Sequence, residues 1–244
     1  MKTFDINGKT ALVTGANRGI GKAFVEALSS RGAKKIYAGT RDRSNFDGLQ
    51  QLSPIVEPVV LDVTRAEDIQ TLSSNISTLD LLINNAGIAN ACTPAADNAM
   101  DIARLEMETN YFGPLKLVLS LLPLLKQSHG AIINISSIAG ISNFPSLGPY
   151  SATKAALHSW TQGLRAELES SGILVAGVYP GPIETRMTEG FEIEKAPASQ
   201  VADKTLDAIA RGELDIFPDH FSEQMYSLFL KHPSELEKAF ATML

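Results

Sequence analysis

Tyr150 and Lys154 stand four apart in Tyr150-Ser-Ala-Thr-Lys154, and residues four apart share one face of a helix. A phenol and an ammonium aimed into one cleft can do acid–base chemistry. A free tyrosine has a pKa of about 10, and a nearby cation stabilises the phenolate and lowers that value. A tyrosine tuned toward neutrality donates a proton to a carbonyl oxygen as hydride arrives, or takes one from an alcohol in reverse. The pair alone has little specificity, since Tyr and Lys four apart arise by chance on many helices.

Thirteen residues before Tyr150 lies Ser137, in Ile135-Ser136-Ser137-Ile138. These residues follow an apolar run at 131–135 that reads as a strand, and ligands of parallel α/β sheets sit beyond such strand ends. A serine there can hold a substrate oxygen against the tyrosine; the structural alternative is a capping or turn serine. Upstream, Thr109-Asn110-Tyr111-Phe112-Gly113-Pro114 falls inside a helical pattern. Proline has no N–H, so the carbonyl of Asn110 loses its usual partner and can hold a water. From spacing alone, a plain proline kink is the simpler reading.

A second constellation surrounds Thr14-Gly15-Ala-Asn17-Arg18-Gly19-Ile20-Gly21, between an apolar run and a helical one. Glycines at 15, 19 and 21 permit a tight turn and close backbone approach to a pyrophosphate. The helix that follows presents free N–H groups and its positive end to that phosphate. The next strand ends in Gly39-Thr40-Arg41, without the acid that would accept a ribose 2′-hydroxyl. Arg41 and Arg18 can instead grip a 2′-phosphate, which favours NADP(H) over NAD(H). Asp42, next to Arg41, weighs against this. Asn84-Asn85-Ala86-Gly87 closes another strand, with amides for the backbone and small residues that leave room for a flat ligand.

These groups need a frame. Strand-like runs at 10–14, 35–39, 55–61, 79–83, 131–135 and 173–178 alternate with helical patterns at 20–30, 65–76, 101–125 and 150–170. Such alternation predicts a parallel sheet wrapped on both faces. Beyond Pro180 the pattern weakens: a loop over 181–197, a helix over 199–211, a short strand over 214–217 and a mostly helical tail from 219. A loop that long in a compact domain suits an active-site lid. With 244 residues the chain reads as one domain over 1–244, with 181–197 as substrate lid and 219–244 as tail.

Composition narrows the function. A net charge of −6 with no basic run excludes a nucleic-acid surface. The apolar stretch 115–125 is too short and too broken to span a bilayer, and the N-terminus has no apolar signal core, so a soluble cytoplasmic protein is expected. Cys92 is the single cysteine, so no intrachain disulfide forms. Histidines 129, 158, 220 and 232 have no metal-ligand spacing, and no metal is expected.

Together these motifs resemble the short-chain dehydrogenase/reductase family in its single-domain form, over about residues 6 to 190. The resemblance implies a Rossmann-type, doubly wound, three-layer α/β/α fold. It implies an NADP(H)-dependent oxidoreductase that interconverts a ketone or aldehyde and an alcohol. The family's catalytic Asn, Ser, Tyr and Lys fall on Asn110, Ser137, Tyr150 and Lys154. The cofactor would meet Gly15, Asn17, Arg18, Gly19, Ile20 and Gly21, then Thr40 and Arg41. Asp62 and Val63 would touch the adenine, and Asn84, Ala86 and Gly87 would line the cofactor. Pro180-Gly181 opens the motif that brings Ile183 and Thr185 to the nicotinamide carboxamide. Lys154 would bond the nicotinamide ribose, with Tyr150 close by, and the Asn110 carbonyl would hold a relay water. Ile88, Ile138, Phe144, Leu147, Met187 and Phe191 are the candidate substrate walls, beside Ser137, and they suit an uncharged aromatic or aliphatic carbonyl. The family also implies a homo-oligomer, a tetramer or dimer, built on the helices near 101–126 and 150–170. The match fails at Leu214-Asp-Ile-Phe-Pro-Asp219, which lacks the family's V-D-G-G-like turn and puts its C-terminal tetramer contacts in doubt. Two other readings are a non-redox, dehalogenase-like member and a dinucleotide-sensing regulator. Both are disfavoured by the intact glycine turn and the intact Tyr-Lys pair.

Overall fold

The computed structural model describes residues 2–190 and 192–243. Seven strands are described: β1 Thr10–Thr14, β2 Lys35–Thr40, β3 Val56–Val60, β4 Leu81–Asn84, β5 Ala131–Ile135, β6 Leu174–Val178 and β7 Asp215–Ile216. They pair in parallel in the order β3-β2-β1-β4-β5-β6-β7. The winding reverses between β1 and β4, so a crevice opens beyond the carboxyl ends of those two strands.

Alternation of side chains along each strand divides the core in two. Val13, Ile83, Ile133 and Ala176 face one layer, and Leu12, Leu82, Ile132 and Val175 face the other. Both faces are covered, which is why these strands are apolar throughout rather than alternately polar. The first layer holds helices α1 Gly19–Ser30 and α7 Ala198–Arg211. The second holds α3 Ala66–Asn75, α5 Gly113–Ser128 and α6 Gly148–Leu168. Helix α2, Phe46–Gln50, follows a 3₁₀ turn capped by Asp42, and neither was foreseen.

The single long helix expected over 101–125 is instead α4 Ala99–Met107, a π-turn over Glu108–Phe112, and α5. Pro114 has no N–H to give Asn110, and the N–H of Gly113 reaches the Glu108 carbonyl five residues back. Gly113 also lies against Val63: a Cβ there would stand 2.7 Å from Val63 Cγ2. The tail forms α8 His220–Lys231 and α9 Pro233–Ala241. It folds onto the segment after β5 in a third cluster containing Ile138, Phe144, Phe217, Phe221, Leu236 and Phe240.

Candidate active site

The turn after β1 is shaped by what its glycines lack. Gly15 has φ +64° and Gly19 φ +52°, the left-handed region that glycine enters without strain. A Cβ on Gly21 would stand 2.2 Å from the Gly15 carbonyl oxygen, so the turn closes only around glycine. Thr14 Oγ1 accepts from the backbone N–H groups of Asn85 and Ala86, each at 2.9 Å. Asn85 Nδ2 donates to the Thr14 carbonyl at 2.9 Å and the Gly15 carbonyl at 3.2 Å. The turns after β1 and β4 are thereby joined. Helix α1 then starts at Gly19 with no acid in its first turn, leaving its positive end open to an anion. Gly19 faces Thr185, whose Cγ2 would stand 3.1 Å from a Cβ on that glycine. Asn17 and Ile20 are half-buried along the same turn.

At the tip of β2, Thr40 is buried, and its hydroxyl oxygen accepts from Asn45 Nδ2 at 3.4 Å. Arg18 and Arg41 are exposed, and neither joins an ion pair among the described residues. The Asp42 carboxylate is turned away onto its own loop, where it accepts from the Ser44 N–H at 2.8 Å, a bond that lowers its pKa. At the β3 end, Asp62 Oδ1 accepts from the N–H and hydroxyl of Thr64 at 2.9 and 2.7 Å. Val63 is buried against Gly113. Ala86 and Gly87 border the crevice, and a Cβ on Gly87 would lie 3.3 Å from Asn110 Oδ1 and 3.7 Å from Lys154 Nζ. The Asn84 side chain points elsewhere: its Nδ2 donates to Asn134 Oδ1 at 2.8 Å inside the core. Its amide therefore does not line the crevice, because an amide buried between β4 and β5 needs a partner there.

Ser137, Tyr150 and Lys154 are brought together. Ser137 caps the 3₁₀ turn Ile138–Gly140, its Oγ accepting from the Ala139 N–H at 3.1 Å and donating to the Pro180 carbonyl at 3.4 Å. Ser136 is committed to structure, donating to the Lys154 carbonyl at 3.0 Å. Lys154 Nζ donates to the Ile135 carbonyl at 2.7 Å and lies 5.6 Å from the centre of the Tyr150 ring. The expected fall in the tyrosine's pKa is absent. Burial pushes the Tyr150 phenol up to about 12, while the nearby Ser137 hydroxyl pulls it down and Glu106 pushes it further up. Burial pulls Lys154 down to about 8. Desolvation penalises both charged forms and is the largest cause of both shifts.

Asn110 serves as a clamp. Its Oδ1 accepts from the Ile88 N–H, and its Nδ2 donates to the Ile88 carbonyl, both at 2.9 Å, and to Thr153 Oγ1 at 3.0 Å. The side chain thus ties the π-turn to the segment after Gly87 and to α6. The Pro180 carbonyl accepts from the Ile138 N–H at 3.0 Å, and the Gly181 N–H donates to Asp219 Oδ2 at 2.8 Å. Ile183 is buried in the main core and forms an isolated bridge with Ala196, which closes the 181–197 loop at its base. Thr185 caps the 3₁₀ turn that follows.

The candidate substrate walls divide. Ile88 and Leu147 are half-buried beside the site, and Leu147 bridges to Cys92. Ile138 is a core residue of the tail cluster, not a wall. Phe144 packs edge-on against Phe240, with ring centres 5.5 Å apart. Met187 is 44% exposed on its turn, and Phe191 lies outside the described residues. The sequence reading missed Glu106, Asn90, Thr153 and Asp219. Glu106 had a signal, four residues before Asn110 in a helical pattern; the other three had none, because their partners are distant in sequence.

The glycine cradle, the acid-free start of α1 and the small residues at 86 and 87 fit a nicotinamide dinucleotide, whose pyrophosphate needs backbone N–H groups and close approach. A sequence model of the short chain dehydrogenase family matches residues 9–196. The chain is 33% identical over 214 residues to an uncharacterized oxidoreductase of Staphylococcus epidermidis, covering 84% of this chain and 93% of that protein. A short chain dehydrogenase from Burkholderia cenocepacia, crystallised with NADP, superposes with a TM-score of 0.91 at 35% identity, covering 97% of this chain and 99% of that one. A short chain dehydrogenase/reductase from Burkholderia phymatum, crystallised with NAD, gives a TM-score of 0.83 at 23% identity over 95% and 96% of the two chains, a likeness of fold alone. The protein is an oxidoreductase of the short-chain dehydrogenase/reductase family.

Proposed function

We propose that this protein interconverts a ketone or aldehyde and its alcohol, with NADP(H) preferred over NAD(H). The observation that carries the reading is the meeting of Ser137, Tyr150 and Lys154 in a buried cleft beside Gly87. The dinucleotide supplies or receives the hydride. Tyr150 gives its phenolic proton to the carbonyl oxygen in reduction and takes it back in oxidation. The Ser137 hydroxyl holds the same oxygen. Lys154 lies beside the phenol and bonds the ribose, and the Asn110 carbonyl, denied an N–H by Pro114, holds a water that passes protons onward. The Asn110 amide keeps the wall at Ile88 in register.

Support for NADP(H) comes from exposed Arg18 and Arg41 and from the Asp42 carboxylate bent back onto Ser44. Asp62 and Val63 are assigned to the adenine, Asn84 and Ala86 to the cofactor wall through their backbone, and Ile183 and Thr185 to the carboxamide. Ile88, Phe144, Leu147 and Met187 favour an uncharged aromatic or aliphatic carbonyl beneath a 181–197 lid. Among the described residues no helix is long and apolar enough to cross a membrane, and we assign the protein to the cytoplasm. Leu105, Phe112 and Leu119 stand seven residues apart, 53%, 40% and 63% exposed. Such a stripe supports a homo-oligomer through α4 and α5, which light scattering would read as a dimer or tetramer.

The test is NADPH oxidation with a panel of uncharged ketones, run beside Tyr150→Phe. Turnover should fall by about 10²–10⁴-fold in the variant with NADPH binding retained. NADPH binding without turnover of any ketone by the wild type would overturn the reading.

A further inference from the structure

Glu106 lies one helical turn before Asn110 and is completely buried. Its Oε1 accepts from the backbone N–H of Asn90 at 2.6 Å and from Asn90 Nδ2 at 3.1 Å. Its Oε2 is also buried and finds no partner among the described residues. Asn110 grips Ile88 on both backbone groups. Two residues past Asn90, the Cys92 N–H donates to the Ser146 carbonyl and its own carbonyl accepts from Gly148, both at 3.0 Å. Residues 88, 90 and 92 are thus held in alternation, as along a strand.

This strap begins at Gly87, close to Lys154 Nζ. It ends at Pro94, packed so tightly that a Cβ on Gly148 would stand 2.6 Å from Pro94 Cγ. Gly148 opens the helix that carries Tyr150. The strap therefore spans the cleft from the lysine to the start of the tyrosine's helix, and Glu106 holds its midpoint. A neutral amide could accept from the same N–H without the desolvation penalty of a buried carboxylate. An acid in that place sets a negative charge on the strap that runs along the cleft.

We propose that Glu106 is a positioning residue of the reaction, fixing the 87–94 strap through Asn90 and placing a carboxylate beside the cleft, where its charge bears on Tyr150. The inference rests on the reading of Tyr150 as the acid and base. Its direction agrees with the upward push that Glu106 exerts on the Tyr150 phenol. Burial raises the pKa of Glu106 itself, and the bonds from Asn90 oppose this, so its charge and its hold on Tyr150 are lost as pH falls. The other groups near the pair are few. Lys154 comes from α6 and buried Cys92 from the strap. Asp101 and Arg104 of α4 are exposed, and Glu108 pairs with Lys116.

Glu106→Gln keeps an acceptor for Asn90 and removes the charge. Tyr150 ionisation is read as tyrosinate absorbance after a rapid pH jump, in each protein minus its Tyr150→Phe counterpart, so the reading needs no substrate. The titration should move to lower pH in Glu106→Gln, and the alkaline limb of kcat/KM for an active ketone should move with it. Curves that superimpose, or a shift to higher pH, would overturn the proposal. If Glu106→Gln does not fold, Glu106→Asp is read instead. It keeps the charge but withdraws from Asn90, so KM for the ketone should rise several-fold with the Tyr150 titration in place; an unchanged KM overturns the clamp. Ketone turnover without a titration shift defeats the role of Glu106 and leaves the reaction standing. A titration shift without turnover of any ketone defeats the reaction.

Discussion

Residues 10–21 and residues 217–240 are built from different materials. The first region works through backbone: glycines at 15, 19 and 21 leave no room for a Cβ, and Thr14 and Asn85 fasten the main chain. The second works through side-chain volume. Tyr179 stacks on Phe217 at 5.1 Å, Phe217 on Tyr226 at 3.9 Å, and Phe221 on Phe240 at 6.4 Å. One polar tie joins the tail to the loop after β6: Asp219 accepts from the Gly181 N–H while capping α8. A pyrophosphate is bound by main-chain N–H groups whose geometry a single methyl can block. A hydrophobic wall can be recarved one side chain at a time without touching the sheet. The glycine turn is thus built on main chain and the tail on side-chain volume.

That contrast can be broken from either side. Gly21→Ala has the largest expected effect, because its Cβ would stand 2.2 Å from the Gly15 carbonyl. Calorimetry should show NADPH binding abolished; retained affinity would mean that the turn tolerates volume after all. Phe240→Ala removes a fully buried ring from the tail cluster and should cost about 3–5 kcal/mol of local stability. Hydrogen exchange should show α8 and α9 loosened while NADPH binding persists. Loss of binding on the scale of Gly21→Ala would erase the distinction between the two regions.

Smaller changes sharpen it. Arg41→Ala should raise KM for NADPH about tenfold or more, the scale of one lost charge-assisted hydrogen bond, and leave KM for NADH unchanged. Equal effects on both cofactors would sink the 2′-phosphate assignment. The last test concerns pH. Lys154 titrates at about 8 in the folded protein against 10.5 ordinarily, so the unfolded chain binds more protons between those values. This residue therefore makes stability rise with pH through that window. Tyr150, raised from 10.0 to about 12, makes stability fall as pH climbs between those values. Denaturant melts of Lys154→Met from pH 8 to 10 should lack the rise that the wild type shows; parallel curves would refute it.

Much of this arrangement was readable from local pattern. Strands such as Ala131–Ile135 follow from β-branched apolar runs, and the π-turn follows from the missing N–H of Pro114. The spacing of Ser137, Tyr150 and Lys154 placed them in one cleft because strand, loop and helix are contiguous in the chain. The turn at 14–21 was equally local, since its glycines act on their own backbone.

Contacts between distant segments were not readable in this way. Only the assembled sheet sets the Asn84 side chain against Asn134, fifty positions on. Ile138 looked like a pocket wall until the tail returned to bury it under Leu236 and Phe240. Asp219 gained a second task only when α8 met Gly181. The tyrosine's acidity depends on how much water the assembled fold removes, and burial is the largest cause of its upward shift. Periodicity and turn chemistry are written in neighbouring residues, whereas desolvation and packing belong to residues that meet only after the chain has folded.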